Sequence, residues 1–152
     1  LSLEIQRMPK NPQHEFGHLW EYPRRSVCTI STHDMATLRG WWEEDMELTS
    51  RYYNHVLGNW GEVPATAPAE ICEEIVRQHL YSPSLLAILA FQDWLSMDTD
   101  IRYPDANAER INVPANPRHY WRYRMHLTIE ELMKSKNFNE KLTSMINETG
   151  RY

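Results

Sequence analysis

Cysteine is scarce in this sequence, and long apolar runs are missing. Cys28 and Cys72 stand far apart and form no Cys-x-x-Cys pair. This favours two reduced core residues in a cytoplasmic protein over a disulfide. No stretch approaches the roughly 18 apolar residues of a membrane span, and the first residues lack the charged, apolar and small pattern of a secretory signal. We therefore expect neither a membrane span nor a secretory signal.

An excess of positive charge is also lacking. Lys and Arg number 16 against 21 Asp and Glu, so the net charge is −5 and the pI is near 5.8. This balance weighs against a general nucleic-acid-binding protein. With 152 residues, 41% hydrophobic and 24% charged, the composition predicts one globular domain with a core and excludes a disordered or low-complexity chain.

Strand-like and helix-like segments alternate along the chain. Periodicity predicts strands over 1–8 and 26–31, a loop over 9–25, and helical segments over 35–57, 67–79, from 128 and over 139–148. Ser82 and Pro83 suggest a further helix start, and the apolar stretch 85–91 stays open between helix and strand.

This order of elements is typical of an α/β protein. Three candidate strands cannot form a self-sufficient parallel sheet with covered edges. The sequence also begins inside the first predicted strand. We therefore expect residues 1–152 to be a single segment of a larger protein.

Aromatic residues are skewed toward rings with a polar edge, with six Trp and eight Tyr against three Phe. Such rings suit surfaces that are half apolar and half wet, including sugar-binding clefts. Core packing is the alternative for each of them. For Trp41 and Trp42, whose spacing is helical, we expect packing rather than a place in a cleft.

One short motif spells a zinc-protease signature, His14-Glu15-Phe16-Gly17-His18. The chemistry needs both histidines on one face of a helix, with the Glu as general base. Gly17 and the flanking prolines Pro12 and Pro23 argue against a helix. We expect a polar loop that carries two histidines, and keep a zinc peptidase as a minor alternative.

A second cluster, Ser31-Thr32-His33-Asp34, leaves the second predicted strand and enters a helix. In α/β barrels the carboxyl ends of strands carry the chemistry, so Asp34 is a candidate catalytic carboxylate and His33 a candidate ligand for a substrate hydroxyl. The alternative is that Asp34 only caps the following helix.

The long stretch 98–126 shows little regular structure and alternates Arg with aromatic residues near its end. Loops of this length are usually functional or are clasped against another part of a protein. A nucleic-acid patch would look similar. A structural clasp, in which Arg side chains pair with carboxylates and stack on aromatic rings, fits the negative net charge of the chain better.

Four segments together point to one family: residues 3–9, 31–45, 92–93 and 116–124. In order and spacing they resemble the C-terminal part of the 4-α-glucanotransferases, the amylomaltase or disproportionating-enzyme family. Within that family the resemblance is closest to the maltose-using disproportionating enzyme 2 type. It runs from Leu1 to the tail at 144–151, and the run Thr-His-Asp-x-x-Thr-Leu-Arg-x-Trp-Trp-Glu-Glu-Asp carries most of its specificity.

The resemblance implies a fold and an activity. The family fold is a (β/α)₈ TIM barrel, of which this chain would be the C-terminal third, predominantly α-helical when taken alone. The activity is transfer of glucosyl units from maltose or malto-oligosaccharides to a glucan acceptor, with retention at the anomeric carbon. It needs no metal and no organic cofactor. Expected partners are these sugars and the rest of the barrel upstream of Leu1, with no nucleic acid and no membrane.

The resemblance also implies roles for three residues. Asp34 matches the family's third catalytic carboxylate, which stabilises the transition state, and His33 matches its hydroxyl-binding neighbour. Asn112 matches an acceptor-side sugar contact in an Arg-x-Asn-x-Pro segment, although the family's Pro-Gly-Thr is replaced here by Pro114-Ala115-Asn116.

The family's nucleophile motif, Arg-x-Asp, and its acid/base motif, Glu-Asp-Leu-Gly, do not occur in this sequence. We therefore expect the chain alone to be inactive. The alternative from another class is a non-catalytic helical module that binds a glucan or a protein.

Overall fold

The computed structural model of the chain describes residues 1–151 and shows a small mixed α/β unit. Its strands are β1 (Ser2–Ile5), β2 (Ser26–Thr29) and β3 (Leu86–Ala87). Its α-helices are α1 (Leu38–Glu44), α2 (Met46–Arg51), α3 (Ala69–Tyr81), α4 (Phe91–Leu95), α5 (Ile129–Lys134) and α6 (Lys136–Glu148). A π-helical turn, Tyr52–Val56, continues α2, and 3₁₀ turns lie at Leu19–Glu21 and Ala106–Glu109.

The three strands form one parallel sheet in the order β1-β2-β3. Glu4 of β1 is opposite Cys28 of β2, and Cys28 is opposite Ala87 of β3. Because the strands are parallel, their carboxyl ends lie at one edge of the sheet. The segments that follow β1, β2 and β3 therefore start close together.

The two faces of the sheet differ in burial. Just after β2, Ile30 is buried in a cluster built from apolar residues of α1, α3, α4 and α6. Cys28 is buried in a smaller cluster with Leu19 and Tyr22 of the preceding loop. On the opposite face, Leu3 and Leu86 flank Val27 in register, and both are exposed, as is Ile88. Helices of the described chain thus cover only one face of the sheet.

The predicted helical segment 35–57 is divided in the structure. It breaks at Asp45, whose backbone is extended at φ −145°. The Asp45 carboxylate accepts hydrogen bonds from the backbone N–H groups of Glu47 and Leu48, at 3.0 and 3.1 Å. This N-cap starts a new helix, α2, because it satisfies two donors that a helix start leaves unpaired.

The predicted helix start at Ser82 and Pro83 is wrong. Ser82 has an extended backbone and ends α3, as is usual for a residue before proline. The following segment pairs with β2 instead, since Leu85 N–H donates to Arg24 O and Ile88 N–H donates to Cys28 O. The apolar stretch 85–91 is therefore a short strand, β3, followed by the start of α4.

Other predictions from the sequence are confirmed. Within the described chain both cysteines are free and buried, and burial raises the pKa of Cys72 to about 11. Trp42 is fully buried and Trp41 nearly so, which is the packing role. Stretch 98–126 has only one 3₁₀ turn as regular structure. As a separate finding, the described residues contain no helix that is long and apolar enough to cross a bilayer.

Candidate functional site

The turn after β2 carries the predicted site residues at the carboxyl edge of the sheet. Strand β2 ends at Thr29, and Met35 N–H donates to Thr32 O at 3.3 Å, which closes a turn around His33 and Asp34. Helix α1 begins only after this turn. Its N-cap is Thr37, whose hydroxyl accepts from Gly40 N–H at 3.4 Å.

Asp34 therefore does not cap α1, and that alternative is wrong. Its backbone N–H is directed to the Thr32 hydroxyl at 3.4 Å. A carboxylate that is not used in a helix cap remains available for other contacts.

The structure brings together the three residues singled out from the sequence. Asn112 Nδ2 donates to Asp34 Oδ1 at 2.7 Å, across 78 positions of sequence. His33 Nε2 lies 3.2 Å from Asp34 Oδ2. The side chains of His33 and Asp34 are both 54% exposed. The result is an anion that is fixed by two polar side chains and is open to solvent.

Trp121 adds an aromatic wall to this site. Its ring centroid lies 5.1 Å from that of His33, with the two planes tilted by 43°, and Trp121 is exposed. Trp121 belongs to the Arg-rich aromatic segment, but periodicity gave no reason to select it as a site residue. An exposed indole beside polar groups is a common platform for an amphipathic ligand.

The loop that carries Asn112 is held by two ion pairs with α1. Arg110 Nη1 lies 3.3 Å from Glu44 Oε1, and Arg110 Nε donates to Asn112 O at 2.9 Å. Below it, Arg39 Nη1 donates to Glu109 Oε1 at 2.7 Å. The pair of Arg110 with Glu44 matches the predicted clasp, in which arginines of this stretch pair with carboxylates. In the second pair the arginine, Arg39, belongs to α1 instead.

A half-buried arginine, Arg7, supports the turn. Nη2 of Arg7, which follows β1, donates to Ile30 O at 2.9 Å, Ser31 Oγ at 2.7 Å and Ala36 O at 3.1 Å. These acceptors lie on both sides of Asp34, so one guanidinium ties the two ends of the turn together. Burial lowers the pKa of Arg7 from its ordinary value. Sequence reasoning missed this role.

Asp93 of α4 is a fully buried carboxyl beside the turn. Its Oδ1 accepts from Leu38 N–H at 2.9 Å, which fixes the first residue of α1. Burial raises the pKa of this carboxyl, while the Leu38 N–H and the Arg7 charge act against that rise. The sequence marked Asp93 only as part of a Gln-Asp pair. Its contact with α1 joins residues 55 positions apart and leaves no periodic signal.

The zinc-protease signature does not form a peptidase site. Residues 14–18 are not helical, as expected. Glu15, the required general base, instead forms an ion pair with Arg51 at 2.7 Å. His14 and His18 are nevertheless neighbours, with stacked rings whose centroids are 4.1 Å apart.

Known proteins resemble this chain in sequence. Residues 1–128 match the profile of the 4-alpha-glucanotransferase family. A 4-alpha-glucanotransferase DPE2 of Oryza sativa subsp. japonica is 40% identical over 151 residues, which is 99% of this chain and 16% of the rice protein. The 4-alpha-glucanotransferase of Chlamydia pneumoniae is 30% identical over 127 residues, 82% of this chain and 23% of that protein.

The fold has a counterpart among solved structures. An amylomaltase from Streptococcus agalactiae, in complex with acarbose, superposes with a TM-score of 0.60 over 86% of this chain and 23% of the amylomaltase, at 21% identity. At this identity the likeness concerns the fold alone. The chain spans about a sixth to a quarter of the length of these relatives. The match of residues 1–128 to the family profile confirms the resemblance, and the chain belongs to the 4-α-glucanotransferase family.

Proposed function

We propose that this chain is the C-terminal part of a (β/α)₈ barrel that transfers glucosyl units from maltose or malto-oligosaccharides to a glucan acceptor. The observation that carries the proposal is the Asp34 carboxylate, held between His33 and Asn112 at the carboxyl edge of a parallel sheet. The ends of barrel strands are where TIM-barrel enzymes perform their chemistry.

The uncovered face of the sheet supports the barrel. Leu3, Leu86 and Ile88 are exposed apolar residues on or beside β1 and β3. Large contiguous apolar patches are uncommon on the surfaces of soluble proteins. In a closed barrel these side chains would point inward and pack against the other strands. The partner of this face would be the remaining strands of the same barrel.

The geometry suits Asp34 for stabilising a transition state. Cleavage of a glycosidic bond by retaining enzymes passes through an oxocarbenium-like state with positive charge near the anomeric carbon. A carboxylate that is already fixed by two neighbours needs little reorganisation when that charge develops. It therefore stabilises the transition state more than the neutral ground state, which raises the rate.

His33 and Asn112 would bind sugar hydroxyls while holding the anion. An imidazole and an amide are suitable partners for hydroxyl groups, because each can donate or accept a hydrogen bond. The exposed Trp121 ring offers an apolar surface beside them for the face of a sugar ring. The nucleophile and the acid/base would come from the part of the barrel outside this chain, so the chain alone should not catalyse transfer.

The test compares the full-length parent enzyme with its Asp34→Asn variant. Glucose release from maltose is measured with glycogen as the acceptor. We expect a loss of about a hundredfold or more in kcat/KM, equivalent to roughly 3 kcal/mol of transition-state stabilisation. Circular dichroism checks that the variant is folded, and Asp100→Asn, which changes an exposed carboxylate, is the matched control.

Near-native activity of Asp34→Asn would contradict the proposed role of this residue. The alternative function, a non-catalytic glucan-binding module, makes a different prediction. In that case the isolated chain binds malto-oligosaccharide and Asp34→Asn leaves the affinity unchanged.

A further inference from the structure

A second cluster of polar side chains lies on the loop between β1 and β2. The ligand-type atoms of His14, His18 and Glu21 all lie within 4.8 Å of one another. His18 Nδ1 is 3.2 Å from Glu21 Oε1. Trp20 also stacks on His18, with ring centroids 4.9 Å apart, so two rings contact His18.

We propose that His14, His18 and Glu21 bind one divalent transition-metal ion, of which Zn²⁺ is the best match. Two imidazoles and a carboxylate form a donor set that Zn²⁺ accepts, with water as the fourth ligand. Bonds of about 2.1 Å in a tetrahedron place ligand atoms roughly 3.4 Å apart. The separation between His18 and Glu21 is already close to this value.

His18 supplies a second observation in favour of a ligand. Its Nδ1 is buried from solvent and, among the described residues, makes no hydrogen bond with acceptable geometry. Its 3.2 Å contact with Glu21 Oε1 does not have hydrogen-bond geometry, so this contact satisfies the ring nitrogen only in part. A metal ion bound between Nδ1 and the Glu21 carboxylate would satisfy that nitrogen and offset the carboxylate charge.

His14 must turn to complete the site. Stacked rings hold their nitrogen lone pairs in nearly parallel planes, here inclined by 26°, so a shared ion requires rotation of one imidazole. The torsion about the Cβ–Cγ bond of histidine is soft. Among residues 1–151, the side chain of His14 has one hydrogen bond, a 3.3 Å contact of its Nε2 with Asn11 Nδ2. Both histidines line a cavity of about 600 Å³, which leaves room for the ion and its water.

The loop geometry assigns the site to binding rather than to peptide hydrolysis. Glu15 is held by Arg51, while the carboxylate in the cluster is that of Glu21. Gly17 anchors the loop between the two histidines, because its N–H donates to Gln6 O at 2.7 Å. An added Cβ there would lie 3.1 Å from Tyr22 Oη. A bound ion would therefore link His14, which precedes Gly17, to Glu21 in the 3₁₀ turn that follows Gly17.

The test is titration of the full chain, prepared without a histidine tag, with ZnCl₂ in a calorimeter. We expect one Zn²⁺ per chain, a higher melting temperature with Zn²⁺, and no binding of Mg²⁺, which prefers oxygen ligands. His14→Gln and Glu21→Ala should each weaken Zn²⁺ binding by about tenfold or more, at least the loss that removal of an outer-shell partner causes.

His55→Gln is the matched control, because His55 lines the same cavity outside the cluster. It should bind Zn²⁺ like the unchanged chain. Glu21 is exposed, so Glu21→Ala remains informative if His14→Gln fails to fold. Absence of Zn²⁺ binding would overturn the proposal. So would equal affinities in His14→Gln, Glu21→Ala and His55→Gln. Glucosyl transfer plays no part in this measurement.

Discussion

The buried ion pair between Arg39 and Glu109 should be the most damaging polar contact to break in this chain. Arg39 Nη1 and Glu109 Oε1 are 2.7 Å apart, and their side chains are only 9% and 2% exposed. Glu109 Oε2 also accepts from Thr37 Oγ1 at 3.0 Å, and Arg39 donates to Tyr103 O at 2.6 Å. The pair thus joins the start of α1 to the loop that carries Asn112.

Glu109→Gln keeps the shape of the side chain and removes its charge. The Arg39 guanidinium is then a buried cation without a counter-ion, which costs about 3–5 kcal/mol of unfolding free energy. Arginine does not lose its proton in proteins, so this cost should persist as the pH is lowered from 7 to 5. Arg39→Met leaves a buried carboxylate instead, which can take up a proton. Its cost should therefore shrink over the same pH range.

The assay is urea unfolding followed by tryptophan fluorescence, for both single variants and the double variant Arg39→Met/Glu109→Gln. Since each single change already breaks the pair, the double variant should cost less than the sum, by about 1–3 kcal/mol. The matched control is the exposed pair Lys136–Glu140, at 3.8 Å, where Glu140→Gln should cause no measurable change. Additive costs, or a Glu109→Gln variant as stable as Glu140→Gln, would refute the reasoning.

Two further perturbations test the fold. Burial lowers the pKa of His79 to about 4 from an ordinary 6.5, so between these values the unfolded chain binds a proton that the folded chain does not. Unfolding free energy should fall by about 3 kcal/mol as the pH drops from 6.5 to 4. Urea titrations across that range should show a flatter dependence in His79→Gln, and an unchanged slope would contradict this. Thr128→Ala removes half of a capping box with Glu131 and should lower the stability of α5 by about 1 kcal/mol. Amide hydrogen exchange in α5 should then be faster, and unchanged exchange would argue against the cap.

Local signals in the sequence were sufficient for much of the fold. The β-branched run at 26–31 predicted β2, and the stripe containing Ile75, Val76 and Leu80 predicted α3 within two residues at each end. Pro68 precedes α3 as its N-cap rather than lying in the first turn. The N-cap of α2 at Asp45 is also formed by local contacts. The helix break there was nevertheless not predicted, because the apolar spacing continues across it.

The segment after α3 shows where local signals fail. Ser82 and Pro83 have the composition of a helix start, yet Pro83 follows a helix end, and the next residues pair with β2. The N–H groups of Leu85 and Ile88 donate to Arg24 O and Cys28 O, which lie far away in sequence. Periodicity could not decide this, since an apolar run in a parallel strand has no alternation.

The candidate site was predictable in its parts and not in its geometry. The run around Asp34 and the Asn112 segment each resembled a family motif. Their contact at 2.7 Å depends on how the long loop returns to α1, and no spacing rule reports that. The ion pairs of Arg39 and Arg110 fix this return. The sequence indicated the pair of Arg110 only as part of an Arg-rich clasp and gave no sign of the pair of Arg39.

The charges beneath the site explain why it can be both open and ordered. Replacing buried ionisable residues by apolar residues of similar volume is often neutral or stabilising, so stability alone gives little reason to bury Asp93 and to enclose half of Arg7. Arg7 donates to backbone oxygens on both sides of Asp34, and Asp93 accepts from the first N–H of α1. A half-exposed carboxylate that must keep one position against solvent needs such support, because preorganised charge requires a rigid second layer. The contacts of Arg7 and Asp93 therefore hold the backbone in place on both sides of Asp34.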